Sequence, residues 1–98
     1  MERISHKVGD TVTLQITIDN LSSNYTDAKL SLFRRNTNNG FTGLIKELTP
    51  AKLMNDNTFV FIYNTDDFLT CRTTYYGHFK VNNNGIILNN YYKIRAIY

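Results

Sequence analysis

Cysteine, proline and tryptophan are almost missing from this chain, and each shortage narrows what it can be. A single cysteine, Cys71, leaves no partner for an intrachain disulfide. The usual staple of a small secreted domain is therefore gone, which favours a reducing compartment or an assembly stable without bridges. The first residues, Met1 to Lys7, contain no apolar core of a secretory leader. No stretch approaches the roughly 20 apolar residues that cross a bilayer as a helix, so a soluble protein made in a cytoplasm is expected. Also missing are a glycine-rich phosphate loop, a Cys-x-x-Cys pair and a His-Glu-x-x-His helix, the short motifs that would announce nucleotide, metal or redox chemistry. No amphipathic helix, repeat, linker or low-complexity segment can be found.

What is present points to β-structure. The 98 residues suit one domain spanning 1–98, with enough chain for a single core. Seven tyrosines and six phenylalanines, with many Val, Ile and Thr, favour pleated strands. The abundant asparagines suit tight turns, because Asn tolerates the left-handed backbone. A formal net charge of +3 is only mildly basic and names no polyanionic partner by itself.

Alternation fixes the strands. In Thr74–Val81, Tyr75, Gly77, Phe79 and Val81 fall on one side, and Tyr76, His78 and Lys80 on the other, the period-two pattern of a half-buried strand. Val12, Leu14, Ile16 and Ile18 alternate in the same way against Thr and Gln. Ala28–Arg35 places Ala28, Leu30 and Leu32 inward and Lys29, Ser31, Phe33 and Arg35 outward. Asn39-Gly40 and Asn84-Gly85 mark hairpin bends. A return strand is expected over 43–48, closed by Pro50. Residues 51–54 suit either a helical turn or an edge strand. Thr58–Tyr63 is apolar on both sides, which predicts a covered outer side, and 64–73 reads as a loop. Ser5–Val8 is expected as a short first edge strand, with Ile86–Leu88 and Tyr91–Tyr98 as two further strands. About seven to eight strands with turn-separated spacing predict an all-β, immunoglobulin-like antiparallel β-sandwich.

Catalytic readings are weak. His6 and His78 are the only histidines. Cys71 precedes His78 by a short segment, but no surrounding signature supports a thiol–imidazole pair. Asp66-Asp67 suit a turn cap better than a carboxylate pair. Neither a metal nor a cofactor is implied, because two histidines and one cysteine lie far apart without zinc spacing. Asp56, Asp66 and Asp67 match no calcium loop. No enzyme is expected. If the Tyr75 and Tyr91 strands share a sheet, Tyr76, His78, Lys80, Tyr91, Lys93 and Arg95, joined by Phe33, form one aromatic and basic patch. Tyr and Arg are enriched at protein contacts, so a docking surface is the leading reading. A solvated sheet face is the plain alternative, and single-stranded nucleic acid a further one.

Several segments, taken in order, resemble the immunoglobulin-like N-terminal domain of phage baseplate upper proteins. They are Val8-Gly9-Asp10-Thr11 before an alternating strand, Tyr25-Thr26-Asp27-Ala28, Asp66-Asp67-Phe68-Leu69, Thr74 to Val81, and the closing Tyr92-Lys93-Ile94-Arg95. The resemblance implies a structural, non-enzymatic virion component docking to capsid, neck or baseplate proteins in many copies, without membrane contact. Members of that family continue into stalks, whereas this sequence ends at Tyr98, which points to a small accessory piece such as a capsid decoration. Pairing of exposed edge strands with neighbours would add to such docking. Two rivals stand beside this reading. One is a module binding carbohydrate or a host surface through Tyr25, Phe41 and Phe68. The other is a small nucleic-acid-binding protein whose affinity falls with salt.

Overall fold

Val12, Leu14, Ile16 and Ile18 turn toward the interior as their spacing predicts, and the strand they build is one edge of a two-sheet sandwich. The computed structural model describes residues 1–65 and 74–97. Over these residues the strands are β1 (Glu2–Lys7), β2 (Thr11–Thr17), β3 (Thr26–Thr37), β4 (Gly40–Leu48), β5 (Lys52–Met54), β6 (Thr58–Asn64), β7 (Thr74–Asn83) and β8 (Ile86–Ile97). They form a five-stranded sheet ordered β1-β8-β7-β3-β4 and a three-stranded sheet ordered β2-β6-β5. This is the immunoglobulin arrangement. β2, β6 and β5 occupy the places of strands B, E and D, while β3, β7 and β8 occupy those of C, F and G, with β4 as C′.

One pairing departs from the expected antiparallel sandwich: β1 runs parallel to β8, with Ile4 beside Ile94. The cause lies in the link that follows. Val8 donates to the Ile97 carbonyl at 2.8 Å and Asp10 to that of Lys7 at 3.2 Å, a tight turn that carries the chain to the other sheet instead of back along β1.

The core is where the two inner faces meet. Leu30, Leu32, Phe79, Val81, Ile94 and Ala96 come from the large sheet and Ile16, Phe59 and Phe61 from the small one. Phe79 lies between Phe59 and Phe61, with ring centroids 5.3 and 5.7 Å away, so it joins the layers. Burial of each such side chain stabilises by roughly 1.5–3 kcal/mol. Among the described residues, buried polar side chains are paired. The Tyr63 and Tyr75 hydroxyls meet at 2.9 Å across the sheets, and Tyr75 also bonds His6 Nε2. The other ring nitrogen, Nδ1, lies 3.2 Å from the Lys7 carbonyl, which can only accept. In the neutral ring Nε2 is therefore the acceptor, so Tyr75 donates to His6 and Tyr63 donates to Tyr75. Burial pushes both tyrosine hydroxyls above their ordinary pKa.

Several boundaries differ from those read in the sequence. The strands expected at 86–88 and 91–98 are one continuous β8. Its ladder with β7 runs from Ile86↔Asn83 to Arg95↔Thr74, and this pairing overrides the poor strand preference of Asn89 and Asn90. β1 starts at Glu2, not Ser5, while β3 and β4 extend to the hairpin bend. Residues 52–54 are an edge strand, resolving the helix-or-strand choice. The outer side of β6 is covered at one end only: Val60 is 1% exposed but Ile62 50%. β5 pairs with β6 from Thr58 to Val60 and stops there. At the β7–β8 bend, Asn84 and Gly85 have φ of 52° and 93°, the left-handed pair that a two-residue hairpin needs.

Candidate docking surface

Because Tyr75, Gly77, Phe79 and Val81 are all buried, their neighbours Tyr76, His78 and Lys80 stand on the opposite face of the five-stranded sheet. Register then aligns rows across that face. Phe33, Tyr76, Lys93 and Arg3 form one row over β3, β7, β8 and β1. Ser31, His78 and Tyr91 form the next, and Lys29, Lys80 and Asn89 the one after. Arg95 sits two residues beyond Lys93 on the same face, beside Thr74 and Ser5. All seven residues that the sequence nominated (Phe33, Tyr76, His78, Lys80, Tyr91, Lys93 and Arg95) share this surface.

Its centre is an aromatic cluster. Phe41 packs on Phe33 at 5.8 Å, on Tyr76 at 5.2 Å and edge-on to Tyr91 at 5.7 Å. His78 stacks on Tyr91 at 4.7 Å with the ring planes 8° apart, and its Nε2 donates to Asn89 Oδ1 at 2.8 Å. The sequence assigned Phe41 to a loop tip and not to this cluster. In a flat ladder its pairing with Asn36 would put it on the side of Leu32. Between Leu32 and Phe33, however, β4 carries one extra residue, and Gly43 two positions on has φ 73°. A bulge bends and twists its strand, and with the alternation interrupted here the Phe41 ring packs on the outer rings. No sequence pattern near Phe41 signals that bend.

Beside the cluster is a polar groove of about 440 Å³, whose lining includes Asp27, Lys29, Ser31, Glu47, His78 and Lys80. Lys29 and Lys80 are direct cross-strand partners, and Glu47 bridges Lys29 at 3.5 Å. On the opposite flank, Arg3, Lys93 and Arg95 have no ion pair among the described residues. Of the acids among the described residues, Asp27 and Glu47 lie at the groove, and Glu2, next to Arg3 in the chain, lines a small pocket with Asn89 and Tyr91 without an ion pair to any of the three cations.

The remaining nominations resolve as follows. Tyr25 is half-buried and packs edge-on against Phe59 at 5.1 Å, so it is a core-rim residue and no free loop tip. Cys71, Asp66, Asp67 and Phe68 lie outside the described residues. Among those described, no group of three or more His, Cys, Asp or Glu could hold a metal ion. His6, the second histidine, is half-buried and bonded to the Tyr75 hydroxyl.

No protein-family model matches the chain, and neither does any curated protein or solved structure. Its class is set by architecture: an all-β sandwich of immunoglobulin type, with one sheet face that is aromatic at the centre and cationic along one flank.

Proposed function

We propose that this protein is a non-enzymatic docking domain, a structural component of a bacteriophage virion that binds its neighbours through the outer face of the five-stranded sheet. The observation that carries the docking reading is the cluster Phe33–Phe41–Tyr76–Tyr91–His78. It is a contiguous aromatic layer on the side turned away from the sandwich partner, with Tyr91 46% and nearby Leu44 54% exposed. Rigid rings of this kind, rimmed by polar and charged groups, are what protein contact surfaces use as anchors. Support for the virion setting is the resemblance carried by Thr74–Val81 and the other segments in order. Two exposed strand edges, β4 and β1, flank the same sheet and offer unpaired backbone to a neighbour. Mass spectrometry of heads and tails separated from the particle encoded with this gene tests the assignment. The chain is expected in one fraction in many copies, and absence from both overturns it.

A second reading has one observation in its favour. The groove between Lys29 and Lys80 has the volume of a small-ligand site, and hydroxyl, amide, carboxylate and amine groups converge on it. A saccharide would use those groups through hydrogen bonds. Oligosaccharide titrations that shift Ser31 and Asn82 amide signals would favour this reading over protein docking.

A further inference from the structure

Arg3 and Lys93 are direct partners across β1 and β8, and Arg95 follows Lys93 on the same side of β8. Like charges facing each other across a sheet destabilise it. None of the three has an ion pair among the described residues, the one bridge there being Lys29–Glu47. Such an arrangement costs stability and gives nothing back within the fold, the pattern expected where charge serves a contact instead. The row continues through Tyr76 and Phe33, so the cations border the aromatic layer directly.

Resting on the docking reading above, we infer that the partner presents an acidic segment: its carboxylates pair with Arg3, Lys93 and Arg95, and an apolar side chain of the same segment lies on Tyr76, Phe41 and Tyr91. Charge complementarity selects an anion, and two guanidinium groups can hold carboxylates in a forked geometry. The packing of the rings selects protein over single-stranded nucleic acid. Base stacking needs free ring faces, whereas here Phe41 is tilted against Phe33 and Tyr76 and edge-on to Tyr91, and one face of Tyr91 is taken by His78. What remains is a continuous apolar layer that suits a side chain.

The test is an NMR titration of the full chain with a synthetic peptide alternating Glu and Leu, beside a Gln–Leu control and an oligothymidylate. Amide signals of Arg3, Tyr76, Lys93 and Arg95 are expected to shift with the Glu peptide alone, less so as salt rises. The double variant Arg3→Gln/Lys93→Gln should weaken that binding by about tenfold while leaving the unfolding temperature unchanged or higher. Tighter binding of oligothymidylate, equal binding of the Gln peptide, or indifference to the double variant each overturns the inference. Failure here is separable from failure of docking itself. Cross-linking from position 91 to a particle protein that persists in the double variant leaves docking standing and removes the acidic partner.

Discussion

His78 lies flat against Tyr91, centroids 4.7 Å apart and planes 8° from parallel, with its Nε2–H fixed by Asn89. The two residues face each other across β7 and β8, so the stack spans the middle of the outer face. Held this way, the imidazole is fixed as part of the surface. It packs as a ring among rings, with Ser31 opposite it on β3.

Adjacent tyrosines should therefore behave very differently. Tyr91 is 46% exposed and Tyr92 3%. Tyr91→Ala is expected to cost no more than about 1 kcal/mol of stability, the scale of a cross-strand pair, while abolishing docking. Tyr92→Ala removes core volume and should cost about 3–5 kcal/mol. Urea denaturation of both variants checks the contrast.

Alkaline pH should unfold the protein through its buried hydroxyls. Burial holds the Tyr63, Tyr75 and Tyr92 pKa values above the ordinary tyrosine value. In the unfolded chain these groups ionise near pH 10. Above that point the folded state retains protons that the unfolded state has lost, so stability is complete below about pH 10 and falls as pH rises. Melting curves between about pH 9 and 11, followed by tyrosinate absorbance, should show ionisation coinciding with unfolding. Tyr75→Phe should flatten that slope, yet cost about 1–3 kcal/mol at neutral pH because His6 and Tyr63 lose their shared partner.

Two glycines should respond to alanine with opposite signs. At Gly77 a methyl group would meet Ile94 and Leu30 at 3.5 Å and Tyr92 at 3.6 Å, ordinary contact distances, and the backbone there is not left-handed. Gly77→Ala is thus expected to stabilise by about 0.4–1 kcal/mol by restricting the unfolded chain. At Gly85, φ is 93° and no space is lacking, so the penalty is conformational. Gly85→Ala should destabilise by more than about 1 kcal/mol. Thermal unfolding of the pair decides both signs.

Much of this was legible in the sequence because alternation reports which side of a strand is buried. Tyr75–Val81, Val12–Ile18 and Leu30–Leu32 follow it, and the outer residues Tyr76, His78 and Lys80 are placed by the same rule. The asparagine–glycine bends located both hairpins. Register between distant strands carries no such signal. The parallel pairing of β1 with β8, which puts Arg3 beside Lys93, depends on the tight turn after Lys7. The bulge that delivers Phe41 depends on one extra residue in β4, and alternation alone would have sent that ring inward. Ile62 shows the converse. Its apolar character suggested cover that β5 is too short to provide.

The central claim, that this face of the large sheet is the docking surface, is tested most directly by site-specific photocross-linking within assembled particles. A photoreactive phenylalanine analogue would replace Tyr91 on that face in one variant and Ile62, exposed on the outer side of the small sheet, in another. Cross-links to a virion protein from position 91 and none from position 62 are predicted. Cross-links from position 62 alone, or from neither, would contradict the account.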